Sequence, residues 1–292
     1  MKTVLELVNQ GTEYLANKNI SEPELSSQWL LSHVLGRKRL DLLSEPAAIV
    51  SEQQDLTYRK LLNLRAKNLP ISYITGTHNF MGIEISIGPG VFIPRPETEE
   101  LVEKTLEYCF KTGKKNLKIM DFGTGSGCIG IALALKTRGS HITAVDISDR
   151  ALKTARKNAE KYGLLKGMRF LKSSRISEVP GRFDIIVSNP PYIPSRVIRG
   201  LDPEVRAEPR TALDAGKDGL KIIRQIIAES LLKLRPGGTL WLEIGADMKE
   251  NIKPLFSEKL LRGLPAKAVW QEVEFLKDYN NKYRFVRGQV YG

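Results

Sequence analysis

Cysteine and histidine are scarce in this 292-residue chain, which has two cysteines, Cys109 and Cys128, and three histidines, His33, His78 and His141. Two thiols cannot build a disulfide framework, and no histidine has a second ligand at metal-binding spacing, so neither stapling nor metal chemistry is expected. Cys128 reads as a small apolar residue packed in a helix rather than as a reactive thiol. Long apolar runs are missing too: none approaches the roughly 20 residues needed to cross a bilayer. The first residues, Met1-Lys2-Thr3-Val4-Leu5-Glu6-Leu7, carry an acid early and lack the continuous apolar core of a secretory signal. A cytoplasmic protein is expected.

What the chain does have is a globular balance, 41% hydrophobic and 27% charged, over a length sufficient for one large α/β domain and a small one. Its net charge of +12 favours an acidic partner, either nucleic acid or an acidic protein. Basic residues cluster at Arg37-Lys38-Arg39, at Lys111, Lys114, Lys115 and Lys118, and from Lys153 to Lys172. Much of the last cluster falls on the solvated face of an expected helix.

Residues 1 to about 70 read as helical, with Leu5, Val8, Tyr14 and Leu15 in a first stretch, Leu25, Trp29, Leu30, Val34 and Leu35 in a second, and Leu61, Leu62 and Leu64 in a third. Ser21-Glu22-Pro23-Glu24 has the spacing of a capping box. From Ile74 the pattern changes. Phe80 to Ile87 alternates toward its end, and Gly88-Pro89-Gly90 is expected to turn the chain into Val91-Phe92-Ile93, a hairpin-like connector. Pro96, followed by Glu97, Glu99 and Glu100, suits a helix start. Beyond residue 115 strands and helices alternate. Strands are expected at Leu117 to Phe122, His141 to Val145, Met168 to Leu171, Phe183 to Ser188 and Thr239 to Ile244, with helices from about Ile129, Arg150, Gly219 and Met248. Such alternation implies a parallel sheet covered on both faces, with ligands at the carboxyl ends of its strands. Lys267 to Glu274 and Tyr283 to Arg287 are expected to add an antiparallel hairpin at one edge.

Two motifs carry chemistry. Asp121-Phe122-Gly123-Thr124-Gly125-Ser126-Gly127 follows a strand and opens a helix, where glycines let the backbone approach a ligand and a helix N-terminus offers amide donors. A dinucleotide loop would place its third glycine at 128, where this chain has cysteine. S-adenosylmethionine, with a carboxylate to hold and no phosphate, fits better. Asp146 lies 19 residues after Gly127 and can accept from both ribose hydroxyls. The second motif, Asn189-Pro190-Pro191-Tyr192, ends an apolar run and can present the Asn189 side-chain oxygen and the Pro190 carbonyl to the two hydrogens of an NH2 group. Held in this way, a poorly nucleophilic amide nitrogen has its lone pair aimed and its developing positive charge stabilised, with Tyr192 packed on the planar group and no obligatory base. Read alone, the motif is equally a strand-ending turn.

The chain resembles the HemK-type peptide chain release factor glutamine N5-methyltransferases over most of its length. The resemblance rests on Pro70-Ile71-Ser72-Tyr73-Ile74-Thr75-Gly76, Phe92-Ile93-Pro94-Arg95-Pro96-Glu97-Thr98-Glu99, the glycine loop with Cys128, Val145-Asp146-Ile147-Ser148, Val187 to Ile193 and Glu208-Pro209-Arg210-Thr211-Ala212-Leu213. It implies a Rossmann-like class I methyltransferase sheet, mostly parallel with an antiparallel edge, over residues 95–292. It also implies an N-terminal helical substrate-binding domain over 1–73 and a β-hairpin linker over 74–94. The implied substrate is the glutamine of the Gly-Gly-Gln loop of class I release factors, in an enzyme expected to act as a monomer without obligate nucleic acid. The implied cofactor contacts are Gly123, Thr124, Gly125, Ser126, Gly127, Asp146 and Asn189. The glutamine would be held by Asn189, Pro190, Pro191 and Tyr192, with Phe92 as a wall. Many relatives carry an acid in the loop after the third strand where this chain reads Ser173-Ser174-Arg175, and Arg175 is expected to lie over the adenine or to stand solvated. Glu208 and Arg210 are read either as ordering the loop after the catalytic strand or as a surface ion pair.

Three rivals remain open at this level. A nucleic-acid methyltransferase acting on adenine N6 or guanine N2 would meet the same two hydrogens, though only 48 residues follow Ile244 and no basic-aromatic module is evident. A glutamine methyltransferase acting on a ribosomal protein would share every motif. A non-catalytic adaptor would need neither Asn189 nor the glycine loop.

Overall fold

The computed structural model describes residues 1–257 and 269–291. It divides into two compact units, one made of residues 1–77 with 202–207 and the other of 78–201 with 208–292. No helix among the described residues is long and apolar enough to cross a membrane.

The first unit packs α1 (Val4–Ala16), α2 (Pro23–Leu35), α3 (Arg39–Ser44), α4 (Glu52–Arg65) and α5 (Ile71–Thr75) beside a short antiparallel pair, β1 (Lys2–Thr3) and β2 (Ile49–Val50). Capping boxes form at Thr3–Glu6 and Ser51–Gln54. The one expected at Ser21–Glu24 does not form. Pro23 opens α2, its N-cap Glu22 is left-handed with φ 48°, and the Ser21 hydroxyl is turned instead to Glu204 at 3.3 Å. Of the expected apolar residues Val8, Leu15, Leu30 and Leu62 are buried, but Leu5, Trp29 and Leu64 stand exposed, and Ser26, Ser27, Ser32 and Arg65 are buried with the core. The helices meet closely enough that small polar residues fill the interface. A Cβ on Gly11 would come within 1.9 Å of the Tyr58 hydroxyl, which lies 2.6 Å from Ser27 Oγ, and Ser27 donates to Val8 O at 2.8 Å. Arg65 donates through Nε to Ser26 Oγ at 3.1 Å and pairs with Glu204, so its buried charge is matched.

The second unit begins within a hairpin of β3 (Thr77–Phe80) and β4 (Ile83–Ser86). Its turn is Met81-Gly82, with φ 51° and 78°, the paired left-handed geometry that matches strand twist. The turn therefore precedes Gly88-Pro89-Gly90, and Val91-Phe92-Ile93 is not a strand. Next come α6 (Pro96–Thr112), β5 (Lys118–Phe122), α7 (Cys128–Lys136), β6 (His141–Asp146), α8 (Asp149–Lys161), β7 (Met168–Lys172) and β8 (Phe183–Ser188). After α9 (Pro203–Arg206), which belongs to the first unit, follow α10 (Arg210–Leu213), α11 (Lys221–Lys233), β9 (Leu234–Glu243), α12 (Lys249–Ile252), β10 (Trp270–Lys277) and β11 (Tyr283–Val290). Lys267 and Ala268, the first residues of the expected tail strand, lie outside the described residues.

The seven-stranded sheet has the order β10-β11-β9-β8-β5-β6-β7, parallel from β9 to β7, with β11 antiparallel to both neighbours. Successive residues of each central strand point to opposite faces. Ile119, Ile185 and Val187 pack on one side with Leu101 and Val102 of α6 and Ile131 and Leu133 of α7. Met120, Ile186 and Leu240 pack on the other with Ile223, Ile226 and Ile227 of α11. The chain leaves β5 toward β6 and β7, then returns to β8 on the opposite flank. That reversal puts the switch point of the sheet at the carboxyl ends of β5 and β8, the position where ligands bind in sheets of this type.

Candidate active site

Both motifs sit at that reversal. The Ser188 hydroxyl, at the end of β8, donates to Phe122 O at the end of β5 at 2.6 Å. This bond brings Asn189 beside the start of the glycine loop. The loop adopts left-handed backbone at Gly123, Gly125 and Gly127, with φ 76°, 56° and 85°. Gly123 N and Thr124 N both donate to Val145 O, at 2.8 and 2.9 Å, which ties the loop to β6. A side chain at Gly127 would stand 3.0 Å from Ala155 Cβ and 3.1 Å from its Cα on α8. At Gly125 a Cβ would meet nothing nearer than Gly123 O at 4.0 Å, so the space beyond that turn is open.

Two carboxylates brace the loop. Asp121 is buried; its Oδ2 accepts from Thr124 Oγ1 at 2.6 Å and Gly130 N at 3.0 Å, and its Oδ1 has no protein partner. Burial pushes this carboxyl up to about 6. Asp146 accepts from Gly125 N through Oδ2 and from Ser148 N through Oδ1, both at 2.9 Å. An ionised carboxylate offers about four lone-pair sites, so Asp146 retains capacity for a diol while holding the loop. Burial raises its pKa as well. Asn158 of α8 donates to Ser126 O and Ser86 O, both at 2.9 Å, and joins the loop to the hairpin. Ser173 N donates to Asp146 O at 3.1 Å, so the segment carrying Arg175 starts beside that acid. Arg175 is exposed, and its Nε donates to buried Glu229 of α11 at 2.9 Å.

On the other flank the contacts run through side chains. Asn189 Nδ2 donates to Thr98 Oγ1 at 2.9 Å, and Thr98 donates to Glu243 Oε2 at 2.7 Å. Glu243 closes β9 with no exposed surface, and the Tyr192 hydroxyl lies 3.4 Å from its Oε1. Burial raises Glu243 to about 7, against the lowering effects of Thr98 and Arg284. Burial and the nearby Glu243 charge hold the Tyr192 phenol in its protonated form. Pro190 is buried, and the chain beyond Tyr192 is pinned by Ile193 N to Leu213 O at 3.1 Å and Ala215 N to Ile193 O at 2.9 Å.

Glu208 and Arg210 do not pair with each other. Glu208 is buried, accepts from Ile93 N at 2.9 Å and pairs with Arg95, whose guanidinium lies 5.2 Å from the half-buried Phe92 ring. Arg210 is exposed and pairs with Asp214 at 2.9 Å. The fold thus gathers the glycine loop, Asp146, Asn189, Pro190 and Tyr192 around β5 and β8. It fixes Phe92 through Glu208 and ties Arg175 to Glu229. Sequence reasoning passed over Thr98, Glu243 and Asn158. A lone acid closing the run Leu240-Trp241-Leu242-Glu243-Ile244 was the available signal, since acids are almost never fully buried without a partner.

Comparison with known proteins bears on the family and the fold. Residues 6–76 match the family described as PrmC N-terminal domain, and residues 98–199 match the methyltransferase small domain. The release factor glutamine methyltransferase of Geobacter sulfurreducens is 38% identical over 250 residues, covering 83% of this chain and 84% of its own. That of Clostridium botulinum is 40% identical over 245 residues, covering 82% and 86%. Among solved structures, the hMettl16 catalytic domain in complex with a MAT2A 3′UTR hairpin overlays with a TM-score of 0.57 at 17% identity, covering 80% of this chain and 82% of that one. A methyltransferase from Pyrococcus furiosus gives 0.51 at 20% identity, covering 73% and 91%. At such identities these two structures establish the sheet architecture alone. On its motifs, its sheet and these relatives, the chain belongs to the release factor glutamine methyltransferase family.

Proposed function

We propose that this protein transfers a methyl group from S-adenosylmethionine to the side-chain N5 of the glutamine in the Gly-Gly-Gln motif of class I peptide chain release factors. It would act in the cytoplasm as a monomer. The observation that carries the reading is the Ser188–Phe122 bond, which sets the Asn-Pro-Pro-Tyr turn against the glycine loop.

The residues present fit the cofactor. Gly125 leaves open space, Asp146 has lone pairs for the ribose diol, and Asp121 Oδ1 is a buried acceptor without a protein partner. Gly123 to Gly127 would hold the amino-acid end at the start of α7, and Ser173 to Arg175, beside Asp146, would border the adenine. When bound, S-adenosylmethionine supplies an electrophilic methyl carbon on a sulfonium.

The protein's own part is to hold and aim the acceptor. Asn189 Oδ1 and Pro190 O would each take one amide hydrogen of the glutamine, which directs the nitrogen lone pair toward the methyl carbon. Tyr192 and Pro191 would cover the amide plane, and Phe92 would bound it. As the nitrogen becomes tetrahedral, the two acceptors stabilise its growing positive charge. The extra proton is acidic once nitrogen is alkylated, so water suffices to take it. Residues 1–73, with the hairpin of 74–94, would hold the release factor.

The test is transfer of labelled methyl to a purified, unmodified release factor, with mass spectrometry of its Gly-Gly-Gln peptide. A methyl mass shift on that glutamine, absent when it is replaced by alanine, is the expected result. No shift, with cofactor bound, would overturn the reading and direct attention to ribosomal protein and then nucleic-acid acceptors.

A further inference from the structure

A side-chain amide has two nearly isosteric ends, and only one is useful to a substrate that offers two N–H donors. Something must therefore decide which end of Asn189 faces the substrate. In this structure the Nδ2 end is taken by Thr98 Oγ1 at 2.9 Å, and Thr98 spends its single proton on Glu243 Oε2 at 2.7 Å. An ionised carboxylate can only accept. It therefore obliges the Thr98 hydroxyl to point its proton at Glu243 and its lone pair at Asn189. That lone pair selects Nδ2, and the oxygen is left for the acceptor role. We propose that Thr98 and Glu243 are positioning residues that orient the Asn189 amide, the Glu243 carboxylate setting the direction of the hydrogen-bond chain.

The three residues come from different elements: Thr98 from the first turn of α6, Asn189 from the end of β8 and Glu243 from the end of β9. Thr98 and Glu243 are buried, which strengthens the bonds and excludes competing water. A protonated Glu243 would become a donor. The Thr98 hydroxyl could then reverse, donate to Asn189 Oδ1, and turn the NH2 end toward the substrate, where two sets of donors would oppose each other. The charged and titratable groups around Glu243 are Glu97 from α6, Tyr192 from the loop after β8 and Arg284 from β11. Arg284 favours the ionised form, whereas burial and Glu97 oppose it, so the switch falls within an accessible pH range.

The catalytic consequence rests on the methyl-transfer reading above, but the orientation itself does not. Two measurements on the full chain separate them. In the first, ¹⁵N-asparagine labelling gives the Asn189 side-chain amide pair, assigned by its absence in Asn189→Ala. This pair is expected to shift with pH as Glu243 titrates in the wild type, and to lose that response in both Thr98→Val and Glu243→Gln. An unchanged response in Thr98→Val overturns the inference, whatever the enzyme methylates. In the second, Thr98→Val is expected to lower kcat for release factor methylation by about 10- to 100-fold, the scale of a misplaced reacting group, with cofactor Kd within about twofold. Thr98→Ser, which keeps the hydroxyl, should restore most of it. Wild-type kcat should rise with pH through about 7, and Glu243→Gln should flatten that rise. Equal kcat in Thr98→Val and wild type would also overturn the inference. A wild type that leaves release factor unmethylated but shows the coupled amide signal would remove the functional reading and leave the orientation standing.

Discussion

The two flanks of the candidate active site are built from different materials. The cofactor flank is mostly backbone: three left-handed glycines, amides of Gly123, Thr124 and Gly125 committed to Val145 and Asp146, and a helix start. The acceptor flank is mostly side chain, a chain from Asn189 through Thr98 to Glu243 with Tyr192 alongside. A loop made of backbone can bind the constant parts of one ligand and tolerate changes among its neighbours. A chain of side chains concentrates function in single atoms, so substitution there should be abrupt.

The most severe expected effect follows from that contrast. On the proposed reading, Asn189→Ala removes one of two acceptors from the amide to be methylated while leaving the glycine loop intact. Turnover should fall by about 10²- to 10³-fold, the scale seen when one preorganised charge-stabilising group is lost, and cofactor Kd should stay within a few-fold. Parallel calorimetry of cofactor binding and methyl-transfer kinetics would check it. Retained turnover would remove Asn189 from the mechanism.

Gly127→Ala is the reciprocal change. It forces a left-handed alanine, at a cost of about 1–2 kcal/mol, and drives its Cβ to 3.0 Å from Ala155. Cofactor affinity should drop by on the order of tenfold, because the loop must shift to relieve the contact. The Asn189 amide signal should remain that of the wild type. If both flanks were disturbed together, the site would be a single mechanical unit and the contrast between its halves would fail.

One buried carboxyl on each flank ties stability to pH, and the one on the acceptor flank sets stability against activity. Glu243 is raised to about 7 from an ordinary value of 4.5, and Asp121 to about 6 from 3.8. Across that interval these two carboxyls hold protons in the folded protein that the unfolded chain has released, so their contribution to stability should decline as pH rises from about 4 to 7 and level off above it. Activity should move the other way, because the ionised Glu243 is the form that orients Asn189. Thermal unfolding of cofactor-free wild type and Glu243→Gln at pH 5 and 7.5 would show it, with a smaller loss of Tm in the variant. An equal loss in both would mean that Glu243 ionises in the folded state as it does in the unfolded one.

The two flanks differ equally in how far the sequence discloses them. The glycine loop and Asp146 are contiguous or evenly spaced features of successive strands and helices, and the strand pattern from 118 to 188 reads directly from alternating apolar runs. Asn189 to Tyr192 is equally visible as a local motif. Its support is not, because Thr98 and Glu243 lie 91 and 54 positions away and meet Asn189 only through sheet order. The helical unit shows the same limit. Its interface joins an apolar core of Leu7, Val8, Leu15, Leu30, Leu31 and Leu62 to a close approach at Gly11, Ser27 and Tyr58, so a search for apolar stripes finds much of the core but also assigns to it Trp29 and Leu64, which do not enter it. Proline misleads in a similar way: Pro23 marks the start of α2 correctly, but the left-handed Glu22 before it leaves Ser21 outside capping reach.

Arg175 gives the smallest expected effect and the finest discrimination on the cofactor flank. Its guanidinium is exposed and engaged by Glu229, which also accepts from Ser177 N at 2.9 Å. Glu229 therefore keeps a backbone donor if Arg175 is lost, and the segment beside Asp146 keeps its Ser173 anchor. Arg175→Ala should weaken cofactor binding by only about threefold, on the order of 0.6 kcal/mol, the modest scale of an interaction at an exposed charge. S-adenosylhomocysteine titration would measure it. A loss as large as that of Gly127→Ala would mean that a side chain, and not the backbone loop, carries much of the hold on the cofactor. The division of the site into a backbone half and a side-chain half would then have to be redrawn around Arg175.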